Sequence, residues 1–289
     1  MITLLVLGTG GAVPTPARAT AGYHVTVDGH DLLVDPGPGA LSRLLAHPAG
    51  PATVADVTTV VVTHFHPDHC HDLAPLLFAR HSVLLRDAPP LQLVGPPGLQ
   101  RYLDALDDLY GRWLEPAGAP VRVTEAAPGT VLVPAADGTW APATAVPPAG
   151  PSLALFAARH SEQRYAAVNL CFRWTDGDGH ALAYSGDSEP CPGLTAAARD
   201  ADLLVVECST PDELACDGHM SPARVAELCR EAHPRRVALT HLYPPASALD
   251  LPALLREPCG AAVVVLSDGD VLTVPVVPGD PSPHPERGS

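Results

Sequence analysis

The sequence has no apolar run long enough to cross a membrane. A spanning helix needs about 18 or more consecutive apolar residues, and glycine, proline or charged residues interrupt the apolar stretches of this 289-residue chain well before that length. The first residues, MITLLVLGTGG, also lack the basic start of a secretion signal. We therefore predict a soluble, cytoplasmic protein with no membrane partner.

Paired cysteines and basic clusters are missing as well. The seven cysteines are odd in number and none are spaced as CxxC, so we interpret them as reduced thiols rather than as disulfides or a cysteine metal site. The net charge is −15, and the 17 basic residues form no dense run. Because affinity for nucleic acids comes mainly from clustered Lys and Arg, this charge disfavours a large nucleic-acid footprint. A small anionic substrate is compatible with it.

Short apolar runs alternate with helical patterns along the chain, which predicts an α/β fold. Helices are predicted at Ala40–Ala46, His71–Arg80, Gln100–Trp113, Leu194–Arg199, Pro222–Ala232 and Leu251–Arg256. The stretch 116–151 is rich in Pro, Ala and Gly, and we interpret it as loops between strands of one sheet rather than as a linker. The prediction is one domain over residues 1–276, followed by a disordered tail at 277–289.

The segment THFHPDHCHDL, directly after an apolar strand, contains four histidines and two aspartates. Residues two apart in an extended segment project to the same side, so His64 and His66 can reach one metal ion. After the proline that ends the strand, Asp68 and His69 present donors from a second direction, which suits a second metal. Imidazole and carboxylate donors favour zinc, manganese, iron or cobalt.

Three further candidate ligands lie elsewhere in the chain, each at the exit of a predicted strand. His160 ends SLALFAARH, Asp187 follows ALAYSG, and His241 ends RRVALTH. Ligand-binding residues gather at strand exits in α/β sheets. We therefore predict that these residues join the cluster at 64–69.

Six motifs resemble those of the metallo-β-lactamase superfamily, specifically its ribonuclease Z-like phosphodiesterase branch. They are LGTG at 7–10, LLVDPG at 32–37, HFHPDH at 64–69, YSGD at 184–187, GHMS at 218–221 and LTH at 239–241. The resemblance implies an α/β fold of the αββα sandwich type, in which two mixed β-sheets are flanked by helices. Dimers are frequent in this branch, so a homodimer is the assembly that the resemblance suggests, although the sequence itself does not reveal the oligomeric state.

The resemblance further implies two divalent metal ions, zinc first, with manganese or iron as alternatives. One ion would be bound by His64, His66 and His160, the other by Asp68, His69 and His241, with Asp187 bridging both. A water or hydroxide between the ions would attack, since coordination lowers the pKa of water toward ~7, and Asp68 would orient or deprotonate it. His219 would protonate the leaving oxygen or stabilise the phosphorane-like charge, and Asp35 would hold a ligand histidine by a hydrogen bond.

The chain departs from ribonuclease Z in its lack of the basic arm that grips tRNA. Only 26 residues separate His160 from Asp187, and the stretch 116–151 contains a single Arg. We therefore predict a dinuclear phosphodiesterase for a small phosphodiester such as a cyclic nucleotide, and tRNA is not expected as a substrate. The roles of Cys70, His71 and Glu207 stay open.

Three alternatives are kept. The first is a ribonuclease Z-like endonuclease acting at tRNA 3′ ends. The second is a lactonase, thioesterase or β-lactamase-like hydrolase, although these branches tend to place the third ligand in G-H-T-P-G, where this chain has R-H-S-E. The third is a metal-binding sensor without activity, against which the complete set of candidate ligands argues.

Overall fold

The first of two sheets is built mainly from the N-terminal part of the chain. The structure is a computed structural model that describes residues 1–143, 150–160 and 168–275. Within these residues, seven strands pair in the order β15-β1-β2-β3-β4-β5-β6. Their bounds are β1 Ile2–Gly8, β2 Gly22–Val27, β3 His30–Val34, β4 Thr59–Val61, β5 Gln92–Gly95, β6 Arg122–Glu125 and β15 Val271–Val274. Neighbours from β3 to β6 are parallel and those from β15 to β3 antiparallel.

The second sheet is also mixed, with eight strands in the described ranges. Their order is β14-β13-β12-β11-β10-β9-β7-β8, and the strands from β11 to β14 are parallel. Their bounds are β7 Val131–Pro134, β8 Trp140–Pro142, β9 Ser152–Ala158, β10 Asn169–Thr175, β11 Ala181–Tyr184, β12 Leu203–Glu207, β13 Arg236–Thr240 and β14 Ala262–Val265.

Helices cover the outer faces of both sheets. They are α1 Ala40–Ala46, α2 Pro67–Cys70, α3 Leu73–His81, α4 Leu99–Tyr110, α5 Pro192–Ala198, α6 Pro222–Ala232, α7 Pro244–Ser247 and α8 Leu251–Cys259. Short 3-10 turns lie at Val54–Asp56, Val83–Leu85 and Asp212–Leu214. Among the described residues, no helix combines the length and the apolar character that a membrane span requires.

Three apolar clusters hold these layers together. The inner cluster lies between the sheets and contains the buried rings of Tyr23, Phe172 and Trp174. A second cluster joins the first sheet to α1, α3 and α4, and a third joins the second sheet to α5, α6 and α8. Each fully buried large apolar side chain contributes about 1.5–3 kcal/mol through transfer from water. The predicted αββα sandwich is therefore confirmed.

Most differences from the predicted helices occur at helix ends. The bounds predicted for α1 and α6 agree with the structure, whereas the helix predicted to Trp113 ends at Tyr110. Gly111 takes a left-handed φ of 62° there and caps α4. The helix predicted from His71 begins at Leu73, because α2 forms a separate turn just before it.

The interpretation of the stretch 116–151 as loops of one sheet is wrong. Its strand β6 pairs with β5 in the first sheet, whereas β7 and β8 belong to the second. This stretch therefore carries the chain from one sheet to the other, although residues 144–149 are not among those described. The predicted tail at 277–289 also lies outside the described residues.

Candidate metal centre

The predicted ligands of the HFHPDH motif lie just beyond the end of β4. The motif enters α2, with His66 as N-cap and Pro67 as the first helical residue. Proline suits this position because its missing N–H would have no partner within the helix. Gly37 passes directly beneath, since a Cβ there would lie 2.0 Å from the backbone oxygen of Asp68. This close approach seats α2 against the end of the first sheet.

One group of donor atoms converges within 4.8 Å. It comprises His64, His66, His160 and Asp187. His66 Nδ1 and His160 Nε2 are 3.1 Å apart. Asp187 Oδ2 lies 3.9 Å from His64 Nε2 and 3.7 Å from His160 Nε2. Imidazole nitrogens and carboxylate oxygens are donors that zinc accepts.

A second group shares the other oxygen of Asp187. Asp68, His69 and His241 lie together, with His69 Nε2 and His241 Nε2 3.3 Å apart. Asp187 Oδ1 is 3.2 Å from His69 Nε2 and 3.3 Å from His241 Nε2. The structure thus brings all seven predicted donors together, with Asp187 between the two groups.

Buried atoms without partners show that the cluster suits cations. Among the described side chains, His64 Nε2 and Asp187 Oδ1 are buried and form no hydrogen bond, an arrangement that costs roughly 1–3 kcal/mol per group. Burial and the nearby His69 hold the pKa of His64 well below its ordinary value, so this imidazole is a free base. Bound divalent ions would satisfy both atoms, so these residues fit a pair of metal ions.

The carboxylates favour positive charge in the other half of the cluster. Burial lowers the pKa of His69, but Asp187 outweighs it and raises that pKa well above its ordinary value. For Asp187, burial raises the pKa, but the surrounding imidazoles outweigh it and hold that pKa well below its usual range. A site that stabilises protonated imidazole in this way also stabilises a metal cation.

Outer hydrogen bonds fix the orientation of four imidazoles. In each, Nδ1 lies 2.8–2.9 Å from a protein oxygen, and the pairs are His64 with Thr63 Oγ1, His69 with Asp35 Oδ2, His160 with Gly218 O and His241 with Ser209 Oγ. With Nδ1–H donating to these oxygens, Nε2 of each ring is directed into the cluster and is the atom available to a metal ion. This is the usual support for metal-binding histidines.

Asp35 is fully buried behind the cluster and accepts four hydrogen bonds. Its donors are the Thr63 amide and hydroxyl, each at 2.7 Å, the Tyr184 hydroxyl at 2.9 Å and the His69 ring at 2.9 Å. The resemblance implies that Asp35 accepts a hydrogen bond from a ligand histidine, and a bond with His69 is present. The added partners hold the carboxylate rigidly against the ring of His69.

The Asp35→Asn variant is expected to bind metal roughly 10- to 100-fold more weakly, because an amide gives His69 a neutral and poorer acceptor. Competition with a chromophoric chelator measures this affinity. Asp72→Asn is the matched control, since Asp72 is a buried carboxylate that accepts the Gly39 and Leu41 amides rather than a ligand histidine. Equal metal affinity in both variants and the wild type would contradict the supporting role of Asp35.

Glu207 is a site residue whose role the sequence left open. It ends β12 at the same edge, is fully buried, and its Oε2 lies 2.9 Å from His219 Nδ1. The Ser209 hydroxyl donates to the same oxygen, and the Ser188 amide donates to Oε1 at 2.6 Å. The strand-exit rule that identified three of the predicted ligands also applies to Glu207, which ends the apolar run LLVVE.

His219 lies beside the cluster with its side chain 17% exposed. Its ring centroid is 4.8 Å from that of His160 and 5.9 Å from that of His241. Burial lowers the pKa of His219, but the hydrogen bond and charge of Glu207 outweigh it and raise that pKa to about 9. At neutral pH a protonated imidazole therefore faces the cluster.

Cys70 and His71 are not among the converging donors. The Cys70 thiol is buried, 3.1 Å from His66 O and 3.2 Å from the Tyr102 hydroxyl. Burial raises the pKa of this thiol to about 12, so it is unreactive. His71 is exposed and lines a separate apolar cavity with Phe78 and Trp113.

Comparisons with known proteins agree with this geometry. A family model described as "Beta-lactamase superfamily domain" matches residues 30–242. Ribonuclease Z from Mycobacterium sp. (strain KMS) is 31% identical, covering 85% of this chain and 85% of that protein. Ribonuclease Z from Haloferax volcanii is 30% identical and covers 95% of each chain.

Solved structures share the fold at lower identity. The metallo-β-lactamase fold protein YhfI from Bacillus subtilis has a TM-score of 0.72 at 21% identity, covering 93% of this chain and 98% of that one. Human tRNase Z, short form, has a TM-score of 0.67 at 19% identity, covering 95% of this chain and 100% of that one. With the family match and the curated relatives, the chain belongs to the metallo-β-lactamase superfamily, in its ribonuclease Z-like branch, and is a metal-dependent hydrolase.

Proposed function

We propose that this hydrolase cleaves phosphodiesters at a pair of metal ions. The pairing of His219 with Glu207 beside the seven donors carries the proposal. Cleavage of a phosphodiester expels an alkoxide, which is a poor leaving group unless it is protonated. A histidine whose pKa is raised to about 9 is charged at neutral pH and can donate that proton.

The other groups have complementary tasks in this proposal. Metal ions held by the seven donors would act as Lewis acids and lower the pKa of a bound water. Asp68 has a side chain 12% exposed and an oxygen 3.5 Å from His241 Nε2, and in this proposal it orients or deprotonates the attacking water. Zinc is the metal we propose first, with manganese or iron as alternatives, because histidine and carboxylate donors suit all three.

Precursor tRNA, cleaved at its 3′ end, is the substrate we propose first. Support comes from curated relatives named ribonuclease Z, which are 30–31% identical and align over 85–95% of this chain. The net charge of −15 and the lack of a basic arm disfavour tRNA as a substrate. The names of these relatives favour RNA, and they give no specific support to a cyclic nucleotide.

A small phosphodiester is the second candidate, and the scarcity of available positive charge favours it. The chain contains no lysine and has a net charge of −15. Several arginines also donate to backbone carbonyls of their own chain, among them Arg18, Arg43 and Arg80. A protein that binds RNA through many phosphates needs such groups on its surface.

One set of assays separates these candidates. The metal-loaded protein is incubated with a precursor tRNA carrying a 3′ trailer, with cyclic AMP and with bis(p-nitrophenyl) phosphate. Cleavage of the precursor with affinity that falls steeply with salt supports the first candidate. Turnover of the small diesters alone supports the second. Turnover of a lactone or thioester, with no phosphodiester cleaved, would overturn both.

The homodimer implied by the resemblance stays a prediction. Size-exclusion chromatography with light scattering on the full chain distinguishes a mass of 30.0 kDa from twice that value.

A further inference from the structure

We propose that Glu189 positions His219 for proton transfer, an inference that rests on the acid role of His219 proposed above. Glu189 is not part of any motif quoted from the sequence. Its side chain is 14% exposed and lies two residues after Asp187. One carboxylate oxygen contacts Arg159 Nε at 2.7 Å, and the other accepts the Gly218 amide at 2.8 Å.

Gly218 is held on both of its peptide groups. Its N–H donates to Glu189, and its carbonyl accepts from His160 Nδ1 at 2.8 Å. Its φ of 81° is left-handed, a conformation that glycine adopts without strain. Gly218, which precedes His219, is thus hydrogen-bonded to the predicted metal ligand His160 and to Glu189. These two bonds, together with the Arg224 guanidinium that donates to the His219 carbonyl at 2.6 Å, hold the His219 backbone in place beside the cluster.

Three consecutive residues, 187–189, contact the metal cluster, Glu207 and the loop that carries His219, in that order. Asp187 lies between the two groups of donors. The Ser188 amide donates to Glu207 at 2.6 Å, and Glu189 holds Gly218. This short segment therefore sets the distances between the cluster, the Glu207 carboxylate and the loop that carries His219. Among these contacts, only that of Glu189 acts directly on the loop.

Substrates with different leaving groups distinguish a role of Glu189 in positioning His219 from a general effect of Glu189 on the site. An alkoxide leaving from a dinucleoside phosphate needs a proton, whereas p-nitrophenolate is a stable anion and leaves without one. Displacing a catalytic group by about 1 Å can cost on the order of 100-fold in rate. For Glu189→Ala we therefore expect kcat on a dinucleoside phosphate to fall roughly 10- to 100-fold with KM little changed. Turnover of bis(p-nitrophenyl) phosphate is expected to fall far less.

Conservative variants test which property of Glu189 matters. Glu189→Gln keeps an oxygen that can accept the Gly218 amide, so it is expected to restore the wild-type ratio of the two activities. Arg159→Ala leaves the carboxylate in place and is expected to keep that ratio as well. If instead the charge of Glu189 were essential, Glu189→Gln would resemble Glu189→Ala, and the positioning role would be wrong.

Asp202 offers a matched control at the opposite end of the strands. Its carboxylate also joins an exposed arginine, Arg235 at 3.0 Å, to a backbone amide, that of Ala181 at 2.8 Å. Asp202→Ala removes the same kind of bridge just before β12, far from the end where Glu207 lies. Each of the two variants loses one such bridge, so we expect similar losses of stability, but Asp202→Ala should leave the ratio of the two activities unchanged.

The outcomes distinguish this inference from the proposed function. Metal content is measured for every variant, and loss of metal from Glu189→Ala would overturn the inference, because its role would then be the support of His160. Equal loss of both activities, or no loss, would overturn it as well. A wild-type protein that cleaves neither of these diesters nor the precursor tRNA would overturn the phosphodiesterase proposal and this inference together.

Discussion

Replacing Asp187 by alanine is expected to release metal and to abolish turnover. Its two oxygens are 3.2–3.9 Å from the Nε2 atoms of four histidines, two in each group. No other described side chain belongs to both groups at once. The loss should exceed the roughly 10- to 100-fold effect of removing a group that only supports a ligand.

Metal per chain and kcat, measured on the same preparation, check this expectation. Asp176→Ala is the control, since Asp176 is another buried aspartate paired with a histidine, His180 at 3.1 Å, outside the candidate centre. The control should keep wild-type metal content and activity. Two metals per chain with wild-type kcat in Asp187→Ala would refute the bridging position.

The second large effect is expected from His219→Ala. General acids contribute roughly 10²- to 10⁴-fold, so kcat on a substrate with an alkoxide leaving group should fall within that range while metal content stays unchanged. Retained metal is the critical observation, because His219 lies beside the cluster without being among its predicted ligands. A loss of metal in parallel with activity would reassign His219 as a ligand.

The pH profile gives an independent test of the same group. His219 is protonated below its raised pKa of about 9, so the rate that depends on it should decline as pH rises through that value. Glu207→Gln removes the charge that raises this pKa, and the decline should therefore move to lower pH. A profile of kcat against pH for both proteins measures the shift. An identical alkaline decline in the two proteins would show that Glu207 does not set the charge of His219.

Local sequence patterns predicted the elements that carry the site. Periodicity and the flanking glycine and proline residues were sufficient for the bounds of α1 and α6. The rule that functional groups follow strands brought forward His160, Asp187 and His241, and the structure places all three beside His64 and His69. These predictions succeeded because each depends on a short segment and on the direction of one strand.

Features that depend on distant pairing were missed. The strand β7 pairs with β9 rather than with β6, which precedes it in the chain, and nothing in the stretch 116–151 encodes that choice locally. The roles of Glu207 and Glu189 likewise come from partners in other loops, His219 and Gly218. A carboxylate has no sequence signature for the backbone amide that it will accept.

The seven donors come from both sheets, because four follow β4 while His160, Asp187 and His241 follow strands of the second sheet. Any ion that these donors bind therefore links the first sheet to the second. An ion that binds only the folded state adds about 4 kcal/mol of stability when its free concentration is about 1,000 times its Kd. The melting temperature should therefore rise with the concentration of free metal. A shortage of the ion would shorten the lifetime of the folded protein as well as abolish its activity.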